Sequence, residues 1–145
     1  MQDIDSRLND IDGCLYRVAI RALIIQDNKV LLVKEVEDNW WALPGGGVDH
    51  GETVESTLVR EVEEELGVPA QEVTSDFQIV HYTIGNVVNA IPRMNVFFKV
   101  LVPEHLIKTT GHVSEWRWFT KDEFSKVDLH PSFNKKVLSK VIFTN

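Results

Sequence analysis

A four-residue apolar repeat just after a run of glycines constrains the fold more than any other feature of this chain. The repeat consists of Val54, Leu58, Val62 and Leu66. Apolar residues at this spacing share one side of an α-helix, so the pattern predicts a helix over residues 53–66. Thr53 is a suitable N-cap, and Gly67 can end the helix in the left-handed conformation.

Three glutamates on this predicted helix lie close together. Glu61, Glu64 and Glu65 stand at i, i+3 and i+4, so their carboxylates share one face. Like charges at this spacing repel each other, so grouping them stabilises nothing unless a cation lies between them. Hard divalent cations such as Mg²⁺ or Mn²⁺ prefer oxygen ligands, whereas zinc favours Cys and His clusters, which this chain lacks. The spacing therefore predicts a magnesium or manganese site.

Other residues near the helix suit the same site. The glycines at 45–47 are predicted to break regular structure and let the backbone approach a ligand closely. Arg60, four residues before Glu64, can orient that carboxylate or contact a phosphate. Glu52, just ahead of the helix, can brace Arg60, bind a metal through water, or serve only as a helix-entry residue. Glu63 points to another side of the helix and is predicted to be a solvated charge.

The spacing of these residues resembles the Nudix box of the MutT/Nudix hydrolases. The box covers residues 46–68, GGVDHGETVESTLVREVEEELGV, and matches at each specified position: Gly46, Glu52, Arg60, Glu61, Glu64, Glu65 and Gly67. The preceding WALPGG and the later EWRWF are also similar to family segments. The resemblance implies an α/β fold, namely an α/β/α sandwich with a mixed β-sheet and a loop–helix–loop catalytic motif.

The resemblance also implies roles for individual residues. Glu61, Arg60 and Glu64 are implied to be catalytic, and the metal is implied to be held by Gly46, Glu61, Glu64 and Glu65. Metals of this kind bridge phosphate oxygens and activate water. The implied reaction is hydrolysis of the pyrophosphate bond in a nucleoside diphosphate linked to a group X.

Several substrates remain compatible with the sequence. The chain is most similar to the MutT-like group, which hydrolyses nucleoside triphosphates. Alternatives are a nucleotide-sugar, ADP-ribose or dinucleoside polyphosphate pyrophosphatase, or a nucleotide-sensing module that does not cleave. The intact glutamate set favours an enzyme over a sensor.

The general base and the substrate contacts are less constrained. Glu61 or a neighbour within the box can activate water, and Glu115 and Glu104 are candidates outside it. Arg21, Trp40 and Arg93 are candidate substrate-binding residues. His81 is a further candidate. Arg21, Arg93 and His81 lie in strand-like runs, where alternation can instead turn them out to solvent, and Trp40 can instead pack in the core or at its rim.

Composition narrows the remaining choices. A chain of 145 residues fits one domain, 1–145, with residues 1–13 as an arm or short helix. The net charge of −7 disfavours a nucleic-acid polymer as partner, and no apolar run approaches the ~20 residues of a membrane span. The single Cys14 is compatible with a reducing cytoplasm. We expect a cytoplasmic monomer or homodimer with a nucleotide-type small-molecule substrate.

The rest of the chain is predicted to form strands followed by short helices. A turn at residues 27–29 is predicted to join the first two strands. The predicted strands are 16–25, 30–36, 77–84, 95–102 and 115–119, and the predicted helical segments are 121–124 and 131–141, the latter opened by Pro131.

Overall fold

The computed structural model describes residues 15–85 and 91–144. The predicted arm at 1–13 and Cys14 lie outside these residues. The helices are α1 (Val54–Leu66), α2 (Lys121–Lys126) and α3 (Lys135–Ile142). The strands are β1 (Arg17–Leu23), β2 (Ile25–Gln26), β3 (Lys29–Glu35), β4 (Trp41–Ala42), β5 (Gly45–Gly47), β6 (Ile79–Gly85), β7 (Arg93–Lys99) and β8 (Val113–Phe119).

The strands form two sheets. The mixed sheet has the order β5-β1-β7-β6, in which β1 and β7 run parallel and the outer pairs run antiparallel. In the antiparallel sheet, β3 pairs with β2, β4 and β8. The prediction of an α/β fold with a mixed sheet is confirmed.

Alternation along the strands produces a core on each side of the sheets. Successive strand residues point to opposite faces. Leu31 of β3 and Phe98 of β7 join a cluster with α1, whereas Leu32 and Phe97 join a second cluster with α2 and α3. The sheets therefore lie between α1 and the two later helices, as an α/β/α sandwich requires.

Helix α1 has the predicted ends. The Thr53 hydroxyl accepts a hydrogen bond from the Ser56 N–H at 3.1 Å, and Ser56 Oγ accepts one from the Thr53 N–H at 2.9 Å. Gly67 has a left-handed φ of 68°, and its N–H donates to the Glu63 carbonyl at 2.9 Å. Both capping predictions are confirmed.

The buried side of α1 differs from the apolar repeat. Val54 is 37% exposed, whereas Glu65 is buried and only 6% exposed. Periodicity fixes which side of a helix faces the core, but it does not show where along the helix the packing partner ends. The predicted burial of Val54 is therefore wrong.

The glycine run is the largest difference from the predicted elements. Residues 45–47 were expected to interrupt regular structure, yet they form β5, paired with Ala19–Arg21 of β1. Gly45 has φ +141°, and a Cβ at this position would collide with the Ile20 carbonyl oxygen. A side-chain pattern cannot reveal a strand that consists only of glycine.

Smaller differences concern element ends. Asp27 and Asn28 have φ values of 50° and 59°, which confirms the predicted turn. Phe77 has φ +53°, so β6 starts only at Ile79. Helix α3 begins after Asn134, whose side chain accepts from the Val137 N–H at 3.1 Å, and not at Pro131.

Two predicted strands agree with the structure in position but not in length. The first predicted strand divides into β1 and β2, and β8 begins before the predicted segment.

No helix in residues 15–85 and 91–144 combines the length and apolar character needed to cross a bilayer.

Candidate active site

A cavity of about 250 Å³ lies at the start of the box, between α1, β5 and the end of β3. Its lining residues are Glu35, Gly45, Gly46, Glu61, Glu64, Glu65 and His112. The structure thus brings together the four predicted metal ligands. It adds Glu35 and His112, which the sequence did not single out for this site.

The backbone of β5 forms one wall of this cavity. The Gly45 N–H points at the Glu65 carboxylate, 3.3 Å from Oε2 and 3.4 Å from Oε1. A Cβ on Gly46 would collide with the Glu61 carboxylate, so a larger residue there would displace that carboxylate from its place in the cavity. The glycine backbone and the helix carboxylates therefore share one small volume.

The buried carboxylates carry raised pKa values. Burial raises the pKa of Glu65 well above its usual range; nearby Arg21 opposes this, whereas Glu61 and Glu35 raise it further. Burial also raises the pKa of Glu61, against the lowering effect of Arg60. Burial, followed by the neighbouring Asp38, raises the pKa of Glu35. A cation in the cavity would favour the charged form of all three groups.

Arg60 holds the glutamates of the box in place. Its Nη1 donates to Glu61 Oε1 at 2.9 Å and to Glu64 Oε2 at 3.3 Å. Its Nε and Nη2 donate to the two Glu52 oxygens at 2.5 and 3.0 Å, and Nη2 also reaches the Gly47 carbonyl at 3.2 Å. Arg60 therefore orients Glu61 and Glu64, and Glu52 braces Arg60.

Glu52 is strongly acidic because of this contact. The hydrogen bond from Arg60 lowers the pKa of Glu52 to about 2, with further contributions from the Asp49 N–H and the Thr57 hydroxyl. The same pairing raises the pKa of Arg60 above its usual range. The pair is fully ionised at neutral pH.

Replacing Glu52 by glutamine is expected to change the acid stability of the fold. Glu52 has a lowered pKa in the fold, so its charge stabilises the fold above the unfolded pKa of about 4.3. That stabilisation is lost as the pH falls toward about 2. Glu52→Gln should therefore unfold more readily than the wild type at neutral pH, with the difference shrinking below about pH 5.

Urea unfolding followed by tryptophan fluorescence, at neutral pH and at about pH 3, measures this difference. Glu55→Gln is the matched control, since Glu55 is exposed in the first turn of α1. The control should follow the wild type. A Glu52→Gln difference of the same size at both pH values would contradict the assigned role.

The donor set suits a hard divalent cation, although the carboxylates are turned toward Arg60. Within the described part of the chain, no three Asp, Glu, His or Cys side chains stand grouped so as to hold a metal ion. The lining nevertheless supplies carboxylate oxygens and backbone carbonyls, the ligands that Mg²⁺ and Mn²⁺ prefer. Glu61 and Glu64 are held by Arg60, and Glu65 faces the Gly45 N–H, so a bound cation would replace these hydrogen bonds.

The two outside candidates for the general base do not line the cavity. Glu115 pairs in register with Lys34, whose ammonium lies 5.9 Å from the Trp41 ring centroid, beside the cluster of α2 and α3. Glu104 accepts a hydrogen bond from Trp118 Nε1 at 3.1 Å. The candidates within the box, Glu61 and its neighbours Glu64 and Glu65, do line the cavity.

Glu35 and His112 have different sequence signals. Glu35 follows Leu31 and Val33 at strand spacing, and both face α1, so alternation could have placed it beside the box. His112 precedes β8 in an irregular segment, and no periodicity marks it. Only the tertiary fold brings His112 to the cavity.

The candidate substrate residues lie elsewhere. Arg21 is 6% exposed, donating to Asn95 Oδ1 at 3.1 Å and to the Leu43 and Gly45 carbonyls at 3.3 and 3.1 Å. These bonds leave Arg21 little surface for a ligand. Trp40 packs edge-on against His130 at 5.5 Å. Arg21, Trp40 and Arg93 are all absent from the lining of the cavity at Glu61, Glu64 and Glu65.

Comparison with known proteins agrees with this geometry. The NUDIX domain family model matches residues 15–141. An ADP-ribose pyrophosphatase of Methanocaldococcus jannaschii is 48% identical over 54 residues, covering 35% of this chain and 32% of that protein. An RNA pyrophosphohydrolase of Ruthia magnifica subsp. Calyptogena magnifica is 28% identical over 93% of this chain and 88% of its own length.

A solved structure shares the fold. The crystal structure of UDP-X diphosphatase superposes with a TM-score of 0.77 at 19% identity, covering 97% of this chain and 70% of that one. The names of the two sequence relatives, pyrophosphatase and pyrophosphohydrolase, agree with the predicted enzyme class. The family model spans nearly the whole described chain, and the chain therefore belongs to the NUDIX domain family.

Proposed function

We propose that this chain is a divalent-metal-dependent pyrophosphohydrolase of nucleoside diphosphate derivatives, with nucleoside triphosphates as the MutT-like substrate. The observation that carries the proposal is the cavity in which Glu61, Glu64 and Glu65 meet the backbone of Gly45 and Gly46. Carboxylates gathered without an equal number of cations are suited to a metal–phosphate complex.

The residues of the chain have distinct tasks in this proposal. Glu61, Glu64, Glu65 and the Gly46 carbonyl would hold Mg²⁺ or Mn²⁺, which supplies charge neutralisation at phosphate oxygens and a more acidic water. Arg60 orients the carboxylates through its fork of donors. Glu61 or a neighbouring glutamate of the box accepts the proton of the attacking water, since the two candidates outside the box do not line the cavity.

Net negative charge along the cavity also determines how substrate enters. A bare polyphosphate is repelled by the lining carboxylates, so it must arrive with its cation or meet a site already loaded. Turnover is therefore expected to be close to nil in excess chelator and to return on addition of Mg²⁺ or Mn²⁺.

A nucleotide panel with identification of both products tests the proposal. The panel contains nucleoside triphosphates, ADP-ribose, nucleotide sugars, dinucleoside polyphosphates and 5′-triphosphorylated RNA. We expect a nucleoside monophosphate and pyrophosphate from the triphosphates. A monophosphate and a phosphorylated X from another substrate would redirect the assignment within the same chemistry. Tight binding without cleavage of any compound would identify a sensor and refute the enzyme.

A further inference from the structure

The mixed sheet has a second face, turned away from α1. Val96 and Phe98 of β7 pack against α1, so the alternate residues of β7 point the other way. The β6 residues paired with these alternate residues of β7 point to the same face, away from α1. Together these strands supply His81, Thr83, Arg93, Asn95 and Phe97 to what we term the outer face.

Aromatic rings extend this face beyond the sheet. His81 lies 5.8 Å from Phe97, which lies 6.2 Å from Phe133. Phe133 lies 6.1 Å from His130, which lies 5.5 Å from Trp40. These rings form a continuous wall from β6 to the loop before β4. Phe97 and Phe133 are buried in the cluster with α2 and α3. A flat ligand can therefore stack only on the half-buried rings of His81, His130 and Trp40.

Polar atoms without partners are concentrated in this region. Among the described residues, the buried side-chain atoms that lack a hydrogen bond are Trp40 Nε1, His81 Nε2, Thr83 Oγ1 and Arg93 Nε. Native folds retain few such atoms, because each loses its hydrogen bond to water and gains none in return. All four belong to the outer face or its aromatic wall, which indicates that a ligand supplies the missing partners.

The outer face is also cationic. The Arg21 guanidinium lies 5.0 Å from the Phe133 ring centroid. Burial lowers the pKa of His130, and the charges of Arg21 and Arg93 lower it further, against the opposing charge of Asp38. No Asp or Glu of the described residues forms an ion pair with Arg93. This face therefore contrasts with the acidic cavity.

Gly45 connects the two sites. Its carbonyl accepts from Arg21 Nη1 at 3.1 Å, and its N–H points at Glu65 in the acidic cavity. Arg21 also donates to Asn95 of the outer face at 3.1 Å, and it thus links that face to β5 and the metal cavity. A single extended substrate can reach both, with its phosphates at the glutamates and its uncharged end at the aromatic wall.

The unpartnered atoms indicate the chemistry of that end. Trp40 Nε1 and Arg93 Nε can only donate hydrogen bonds, and the Thr83 hydroxyl and the His81 ring nitrogen can donate as well. Their complement is a flat group whose edge presents acceptors. Guanine offers O6 and N7 along one edge, whereas adenine replaces the O6 acceptor by an amino donor.

We propose that the outer face is a nucleobase pocket that selects a carbonyl-bearing purine such as guanine over adenine. The assignment rests on the proposed function for the identity of the substrate as a nucleotide. Trp40 and Arg93 are only half-buried, so their side chains can turn to meet a base that enters beside them. Thr83 and His81, fixed on β6, then lie along the edge of the base.

Binding of GMP and AMP, measured by calorimetry in the presence of Mg²⁺, tests the pocket without turnover, because neither monophosphate has a pyrophosphate bond to cleave. We expect GMP to bind at least about tenfold more tightly than AMP, because adenine lacks the O6 acceptor of guanine. Trp40→Phe removes a donor and keeps an aromatic ring, and Thr83→Val removes a donor and keeps the shape of the side chain. Each should weaken GMP binding severalfold and leave AMP binding nearly unchanged.

Trp118→Phe is the matched control, because it also removes an indole N–H but lies in β8, where its Nε1 is bonded to Glu104. It should bind both nucleotides as the wild type does. Thr83→Val keeps the test decisive if Trp40→Phe fails to fold.

Each outcome of this test has one meaning. Equal affinities for GMP and AMP, failure to bind either, or GMP binding unchanged in both variants would overturn the pocket even if the protein hydrolyses nucleotides. Selective GMP binding that depends on Trp40 and Thr83 would support the pocket even if no nucleotide is cleaved. In an active enzyme, the same variants should raise KM for GTP more than they lower kcat, because the base is bound equally in ground and transition states.

Discussion

Glu64→Gln is expected to lower divalent-dependent nucleotide hydrolysis by about 10²-fold or more. Glu64 lines the acidic cavity and lies on the same face of α1 as Glu61 and Glu65. Glutamine keeps the size of the side chain and its hydrogen bond from Arg60, but it removes one negative charge from the cation's ligands. The loss should appear chiefly in kcat at saturating substrate and should be relieved only partly by more Mg²⁺.

Glu63→Gln is the matched control for this variant. Glu63 neighbours Glu64 on the same helix, is exposed, and is absent from the cavity lining. The two variants have the same change in net charge, so any general effect of charge on the acidic protein affects both equally. The control should retain wild-type turnover. Near-normal activity of Glu64→Gln, or an equal loss in both variants, would refute the role of the glutamate face.

Gly45→Ala is expected to lower the free energy of unfolding by about 3 kcal/mol. A left-handed φ costs a non-glycine residue about 1–3 kcal/mol, and overpacking costs about 1–3 kcal/mol. Gly45 has φ +141°, and its added Cβ would meet backbone atoms of Ile20 and Arg21, which cannot move aside as a side chain can. A loss of this size corresponds to a Tm lower by about 10 °C.

The loss of Gly45 should also affect the site. Moving β5 away from β1 would shift the N–H that points at Glu65 and the carbonyl bonded to Arg21. Gly111→Ala is the control, since a Cβ there meets no atom within 4 Å. Thermal unfolding should show the control close to the wild type. A Gly45→Ala protein with wild-type Tm would contradict the close contact of β5 and β1.

The box helix was predictable because several local signals agree. The apolar repeat, the Thr53 cap and the Gly67 end each point to the same segment, and the structure has α1 from Val54 to Leu66. Glutamates at i, i+3 and i+4 must share a helix face whatever the rest of the fold does. The grouping of Glu61, Glu64 and Glu65 was therefore fixed by the helix alone.

Features that depend on distant parts of the chain were not predictable in the same way. The burial of Glu65 follows from the approach of Gly45, twenty residues earlier in the chain. A strand made only of glycine has no side-chain alternation, so β5 is visible only through its pairing with β1. His112 reaches the cavity through the pairing of β8 with β3, which no local pattern encodes.

Binding of Mn²⁺, followed by electron paramagnetic resonance in the presence of a non-hydrolysable nucleotide, tests the central claim most directly. We predict a bound ion in the wild type and in Glu63→Gln, and at least about tenfold weaker binding in Glu64→Gln and Glu61→Gln. The same Mn²⁺ affinity in all four proteins, or no bound Mn²⁺ in the wild type, would contradict a metal held by the glutamate face of α1.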